Sequence, residues 1–228
     1  MKTDKKHTDK TYDAELDELR QKLLTLGGKV ESEIHDGVRA LIERDSILAE
    51  SVMRADREVN RLEVEIDEMC RRILALRQPA ASDLRLITTA LKVVVDLERI
   101  GDLAVNIAER AIDLNQSAPL TPVAELPHLA QLCKDQVHAA LECFVESNPE
   151  KAEAVIKADE LIDAVYHQLF HGLVDLMLED SKNIRRVTSL MFIAKHLERL
   201  ADHATNVAEM VIFMVRGTDI RHPGSREP

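Results

Sequence analysis

A chain of 228 residues, 45% hydrophobic and 31% charged, is long enough for one large domain or for two small ones that each bury a modest core. Its 3% aromatic content, its lack of Trp and its seven Gly and seven Pro are the composition of a helical protein. A net charge of −11 with no clustered Lys/Arg patch excludes a nucleic-acid binder and favours cations or basic partner surfaces.

The opening MKTDKKHTDK reads as a charged tail, residues 1–11, without an apolar core. No apolar run reaches the ~18 residues that a membrane span needs, so a cytoplasmic, soluble protein is expected. Helical periodicity then predicts six helices, near 12–43, 46–77, 82–115, 126–147, 149–178 and 183–215. Breakers separate them: Gln78-Pro79, the stretch NQSAPLTPVAELP, Ser147 to Pro149 and the stretch EDSKN. Ser46, Ser82 and Ser147 are the predicted N-caps, and Gly217 the predicted C-cap of the last helix. Cys70, Cys133 and Cys143 lack C-x-x-C spacing and are odd in number, which points to reduced, packed thiols rather than a disulfide.

The two halves repeat one another. MRADREVNRLE at Met53 aligns with IKADELIDAVY at Ile156, and DLERIGDLAVNIAE at Asp96 with HLERLADHATNVAE at His196. The prediction is an all-α fold, a tandem repeat of two antiparallel three-helix bundles. The first bundle spans 12–115, a linker 116–126, the second bundle 127–217, and a C-terminal tail 218–228.

The repeated helix carries the chemistry. At about 100° per residue, Glu98, Asp102 and Asn106 share one face, as do Glu198, Asp202 and Asn206, and Ile87, Leu91, Val94, Val95 and Val105 lie close to Glu98 on the same projection. Like charges four residues apart beside an apolar stripe need compensation: an Arg or Lys, protonation or a bound cation. An antiparallel register about the turn near residue 79 sets Glu98 opposite Asn60 and Glu63, and Asp102 opposite Asp56. The same register in the second copy sets Glu198 opposite Asp163 and Asp202 opposite Asp159. Acids meeting acids twice favour metal over a merely solvated face, and an oxygen-only set suits Mg, Mn, Ca or ferric iron better than zinc.

His167 and His171 continue the spacing of Asp159 and Asp163 but drift around the helix. They read as surface histidines, with His167 an outside ligand candidate. His196 and His203 point well away from Glu198 and are assigned to packing or to other surfaces. No nucleophile elbow, phosphate-binding loop or dinucleotide fingerprint is present.

These motifs, with RQPAASDLRLI at Arg77, LEDSKNI at Leu178 and the closing VRG at Val215, make the chain similar to the PhoU family, from about residue 12 to 217. The resemblance implies that the two three-helix bundles are related by a pseudo-twofold and bind multinuclear clusters of iron or zinc through E-x-x-x-D motifs, which fall on Glu98 and Asp102 and on Glu198 and Asp202. The preceding helices offer Asp56, Asn60 and Glu63, or Asp159 and Asp163. It also implies a non-enzymatic negative regulator of the phosphate-starvation response that links the phosphate ABC transporter's ATPase to a membrane sensor histidine kinase, and a homodimer is expected. Asn60, Asn106 and Asn206 stand where family copies often carry Asp, Ala201 replaces the usual motif Gly, and Tyr166 takes the place of the acid at Glu63. Fewer carboxylates per site bear on how many ions a cluster can hold. A metalloenzyme using the same acids, and a metal-free adaptor whose acids meet a basic partner surface, are the competing readings.

Overall fold

The computed structural model describes residues 10–120 and 125–220. The predicted tails and linker fall partly outside these residues, at 1–9, 121–124 and 221–228. Among these residues six long helices follow one another: α1 (Lys10–Glu43), α2 (Ser46–Leu76), α3 (Ala81–Asn115), α4 (Glu125–Glu146), α5 (Pro149–Glu179) and α6 (Ile184–Arg216), with a 3₁₀ turn at Ser181–Asn183 before the last. Among the described residues there is no strand.

Apolar residues at three- and four-residue spacing explain each helix. In α1, Leu16, Leu19, Leu23, Leu26, Val30 and Ile34 form one buried row. The turn chemistry differs from expectation at the caps. Asp45 caps α2 by accepting from the Leu48 amide, and Asn148 caps α5 by accepting from the Glu150 and Lys151 amides. Ser46 is therefore the first helical residue, while Ser147 closes the preceding helix in the left-handed region (φ 50°). Asn148 N–H donates to the Cys143 carbonyl and Asp45 N–H to the Ala40 carbonyl, so α1 and α4 both end in a six-to-one bond over a left-handed residue. Ser82 caps nothing either: α3 starts after Ala80, whose side chain has no oxygen to offer. Gly217 does take the expected left-handed conformation (φ 71°), its amide donating to the Phe213 carbonyl.

Helices α1, α2 and α3 pack as one bundle and α4, α5 and α6 as a second. The seam between them is made by counterparts: α3 lies against α6, and α1 against α4, as a twofold relation requires. Both pairs run antiparallel. Arg85 Nε donates to the Met214 carbonyl at 3.1 Å, and further along α3 Asp96 accepts from His203 at 2.8 Å and from Asn206 at 3.3 Å. Between α1 and α4, Glu31 meets His138 at 2.6 Å and His35 meets Lys134 at 3.1 Å. One hydrophobic core runs through both bundles, with Leu97, Ile100, Leu197 and Leu200 buried along the central pair. Among the described residues, helices α2 and α5 touch only their own bundle. Cys70, Cys133 and Cys143 are free and buried, and burial pushes the Cys70 and Cys143 thiols up to about 12, so they pack as small apolar groups.

Arg44, the left-handed residue between α1 and α2, closes the far end of α3. Its guanidinium donates to the carbonyls of Leu114 (3.1 Å), Asn115 (3.2 Å) and Ser117 (2.5 Å). Exposed carbonyls at a helix C-terminus carry partial negative charge, and a cation there satisfies them. Arg44→Ala is expected to cost about 1–2 kcal/mol in urea unfolding. A cost indistinguishable from zero would mean that water serves these carbonyls equally well.

Candidate functional site

In the first bundle the acids come from all three helices. Asp56 of α2 lies close enough to Asp102 of α3 for the two to repel, and Glu98 is pushed up by burial, then by Asp102, Glu63 and Asp56. The register argued from the turn therefore places the acids correctly. Arg99 lies 3.6 Å from both Glu98 Oε2 and Asp102 Oδ2, and Asn60 donates to Asp56 Oδ2 at 2.7 Å. Asp102 remains open to solvent, with 43% of its side chain accessible, while Glu98 keeps 23%.

The most buried acid lies outside the residues that the helix register predicts for the site. Glu33 of α1 is only 4% exposed, its carboxyl pushed up to about 8 by burial and by the neighbouring Asp56. Glu33 Oε2 and Asp56 Oδ1 are both buried without a hydrogen-bond partner. The two oxygens converge on Gly101 of α3: a Cβ at that position would stand 3.2 Å from Glu33 Oε2 and 3.6 Å from Asp56 Oδ1. The signal was present in α1, where Leu26, Val30, Glu33 and Gly37 follow the helical repeat and put an acid in the apolar row.

The second bundle answers the same positions differently. Gln136 replaces Glu33, and its amide donates to Asp159 Oδ1 (3.1 Å), Thr205 Oγ1 (3.1 Å) and the Val155 carbonyl (3.4 Å). Ala201, fully buried, replaces Gly101. Partial burial, then Glu198, Asp159 and Asp163, push Asp202 up, and Lys195 opposes them. Lys195 Nζ lies 2.5 Å from Glu198 Oε2 and 5.5 Å from the Tyr166 ring centroid, and that hydrogen bond raises the lysine. An intrahelical cation three residues before the acid was also missed by reasoning from the helix face alone. Thus the first bundle leaves two buried carboxyl oxygens facing a glycine, and the second covers the same place with an amide and a methyl group.

The remaining sequence candidates separate. Asn206 turns across the seam to Asp96 and away from the acids. Asn106 is half-buried and Asp163 exposed. His167 and His171 are exposed, the His167 ring lying 5.5 Å from that of Tyr166. His203 pairs with Asp96, and His196 is half-buried with Nδ1 unpartnered, its basicity lowered by burial and by Arg110 and Arg199.

The donor chemistry suits a hard cation: carboxylate and amide oxygens, with two orphaned oxygens in the first bundle. No group of three His, Cys, Asp or Glu stands assembled for a metal among the described residues. Arg99 and Lys195, drawn onto Glu98, Asp102 and Glu198, hold those carboxylates for themselves.

Two back-to-back three-helix bundles with an acid pair repeated on the central helix of each define an all-helical tandem-repeat protein. The PhoU domain matches it twice, over residues 23–111 and 126–211, and the chain belongs to that family. A relative in Pseudomonas putida, "Phosphate-specific transport system accessory protein PhoU homolog", is 46% identical over 219 residues, covering 96% of this chain and 86% of the relative. The Escherichia coli K12 "Phosphate-specific transport system accessory protein PhoU" is 37% identical over 224 residues, covering 97% and 92%. The crystal structure of PhoU from Pseudomonas aeruginosa superposes with a TM-score of 0.88 at 44% identity, over 91% of this chain and all of that one. That of the phosphate transport system regulatory protein PhoU from Streptococcus pneumoniae gives 0.86 at 30% identity, over 92% and 99%. The family is one of accessory and regulatory proteins, not of enzymes. No described helix is long and apolar enough to cross a membrane.

Proposed function

We propose that this protein is a cytoplasmic negative regulator of the phosphate-starvation response, a metal-binding adaptor between a phosphate ABC transporter and a sensor histidine kinase, acting as a homodimer. The relatives' names, an accessory protein of the phosphate-specific transport system and a phosphate transport system regulatory protein, support the transporter side of this reading. The carrying observation for the metal is the buried pair Glu33 Oε2 and Asp56 Oδ1, neither with a hydrogen-bond partner, in the same cluster as the carboxylates of Glu98 and Asp102.

A divalent or ferric ion would supply the positive charge that lets these carboxylates stay ionised side by side. In the first bundle Glu33, Asp56, Glu98 and Asp102, with Asn60 and Glu63 at the edge, would hold it. In the second, Asp159, Asp163, Glu198 and Asp202 are the corresponding residues. Family resemblance supports iron or zinc, and the oxygen donors equally suit magnesium or manganese. Holding acids from three helices together, the site would fix the outer face of the bundle that α2 and α3 present to partners.

One observation favours a metal-free adaptor as the second reading: Arg99 and Lys195 already show how a guanidinium or ammonium engages these acids, and a partner's basic patch would do the same. The deciding experiment is complementation of a cell lacking this protein, with a phosphate-starvation reporter read at high phosphate. Wild type is expected to silence the reporter, and the variant Glu98→Gln/Asp102→Asn/Glu198→Gln/Asp202→Asn to leave it on. A reporter that is silent with or without the protein would overturn the regulatory role. Binding to the transporter ATPase or the kinase that survives chelation but falls steeply with salt would select the metal-free reading.

A further inference from the structure

We infer that a cavity of about 430 Å³ between the end of α3 and the start of α6 is a binding site for a small phosphate-bearing anion. It stands apart from the acid clusters and does not depend on the regulatory reading. Three arginines line it, Arg110 from α3 and Arg185 and Arg186 from α6, against one acid, Asp113, in a chain whose net charge is −11. Cations gathered at one place in an acidic protein are the recognisable feature.

The repeat explains why a guanidinium is free there. In the first copy Arg85 donates to the Met214 carbonyl and so closes the C-terminal end of α6. Its counterpart in the second copy, one hundred residues on, is Arg185, whose equivalent target is the Leu114 carbonyl at the end of α3. That carbonyl is taken by Arg44 from the turn between α1 and α2. Arg185 is left exposed at the cavity, and its guanidinium makes no hydrogen bond or ion pair among the described residues.

The other two arginines are held in place around it. Arg110 lies over the Phe192 ring at 4.8 Å, only loosely paired with Asp113 at 3.9 Å. Arg186 is pinned by Asn183 Oδ1 (2.6 Å) and the Ala118 carbonyl (2.9 Å), which aims its head at the rim. Ser117, Thr188 and Ser189 add hydroxyls; that of Ser189 makes only a 3.4 Å contact to its own helix and can turn to an incoming oxygen. Guanidinium groups match the tetrahedral oxygens of phosphate in pairs. Phe192, 47% exposed at the cavity, adds an apolar surface that an organic part attached to the phosphate would meet.

The test is titration calorimetry on the full-length, metal-free protein with inorganic phosphate and, separately, with ATP, so that no metal site contributes. Saturable binding of at least one probe is expected, weakened roughly 10-fold or more in Arg110→Ala/Arg185→Ala, because each lost guanidinium removes charge-assisted bonds. Arg85→Ala, at the opposite end of the seam, should leave it unchanged. Equal affinity for the two probes identifies free phosphate as the ligand, and tighter ATP binding a phosphorylated organic molecule. No saturable binding of either probe, or the same affinity in the double variant with its helical circular dichroism intact, would overturn the proposal.

Discussion

Glu33→Gln is expected to stabilise the chelated protein by roughly 2–4 kcal/mol at pH 8, an unusual outcome for a buried substitution. The folded protein holds the Glu33 carboxyl at about 8, against an ordinary value of 4.5, because burial and Asp56 disfavour its charge. Between those two values the folded chain binds a proton that the unfolded chain has released. Stability contributed by this group is therefore complete below pH 4.5 and is lost as pH rises through 8. Glutamine, already present at the matching position Gln136, removes the ionisation and with it this slope. A bound cation acts in the opposite sense by favouring the carboxylate, so metal should raise the stability of wild type at pH 8 more than that of the variant. Urea midpoints measured from pH 5 to 9 check this, and parallel profiles for the two proteins would refute the assignment.

Leu97→Ala is expected to cost about 2–5 kcal/mol, the usual range for truncating a buried leucine. Leu97 is 1% exposed on α3 and, with Leu23 and Gly27 of α1 and Leu141 and Phe144 of α4, lines a pocket between the two bundles. Because one core joins the bundles, the variant should still unfold in a single step, at lower temperature. Two resolved calorimetric transitions, with only one displaced, would show that the bundles unfold separately.

Local pattern made most of this architecture legible. Six helices follow from the spacing of leucines and valines, and the opposition of Asp102 to Asp56 follows from antiparallel packing about a short turn. The caps were misplaced because serine competes with neighbouring Asp45 and Asn148, whose side chains reach the free amides. Glu33 escaped because the register argument used two helices of a three-helix bundle, and Lys195 because it acts along its own helix. Asn206 shares a projected face with Glu198 and Asp202, yet a single-helix projection holds no information about the seam that turns it to Asp96. How α3 crosses α6 is a contact between residues about a hundred positions apart, and periodicity is silent on it.

The central claim, that the duplicated acids hold cations, is tested most directly by elemental mass spectrometry of untagged protein. Wild type is measured beside Glu98→Gln/Asp102→Asn/Glu198→Gln/Asp202→Asn and beside Glu33→Gln. Metal retained by wild type, lost in the fourfold variant and reduced in Glu33→Gln is the predicted result, with the loss in Glu33→Gln confined to the first bundle's share. Wild type that stays metal-free after incubation with iron, zinc, manganese and magnesium would contradict it, and the acids would then be a surface for a basic partner.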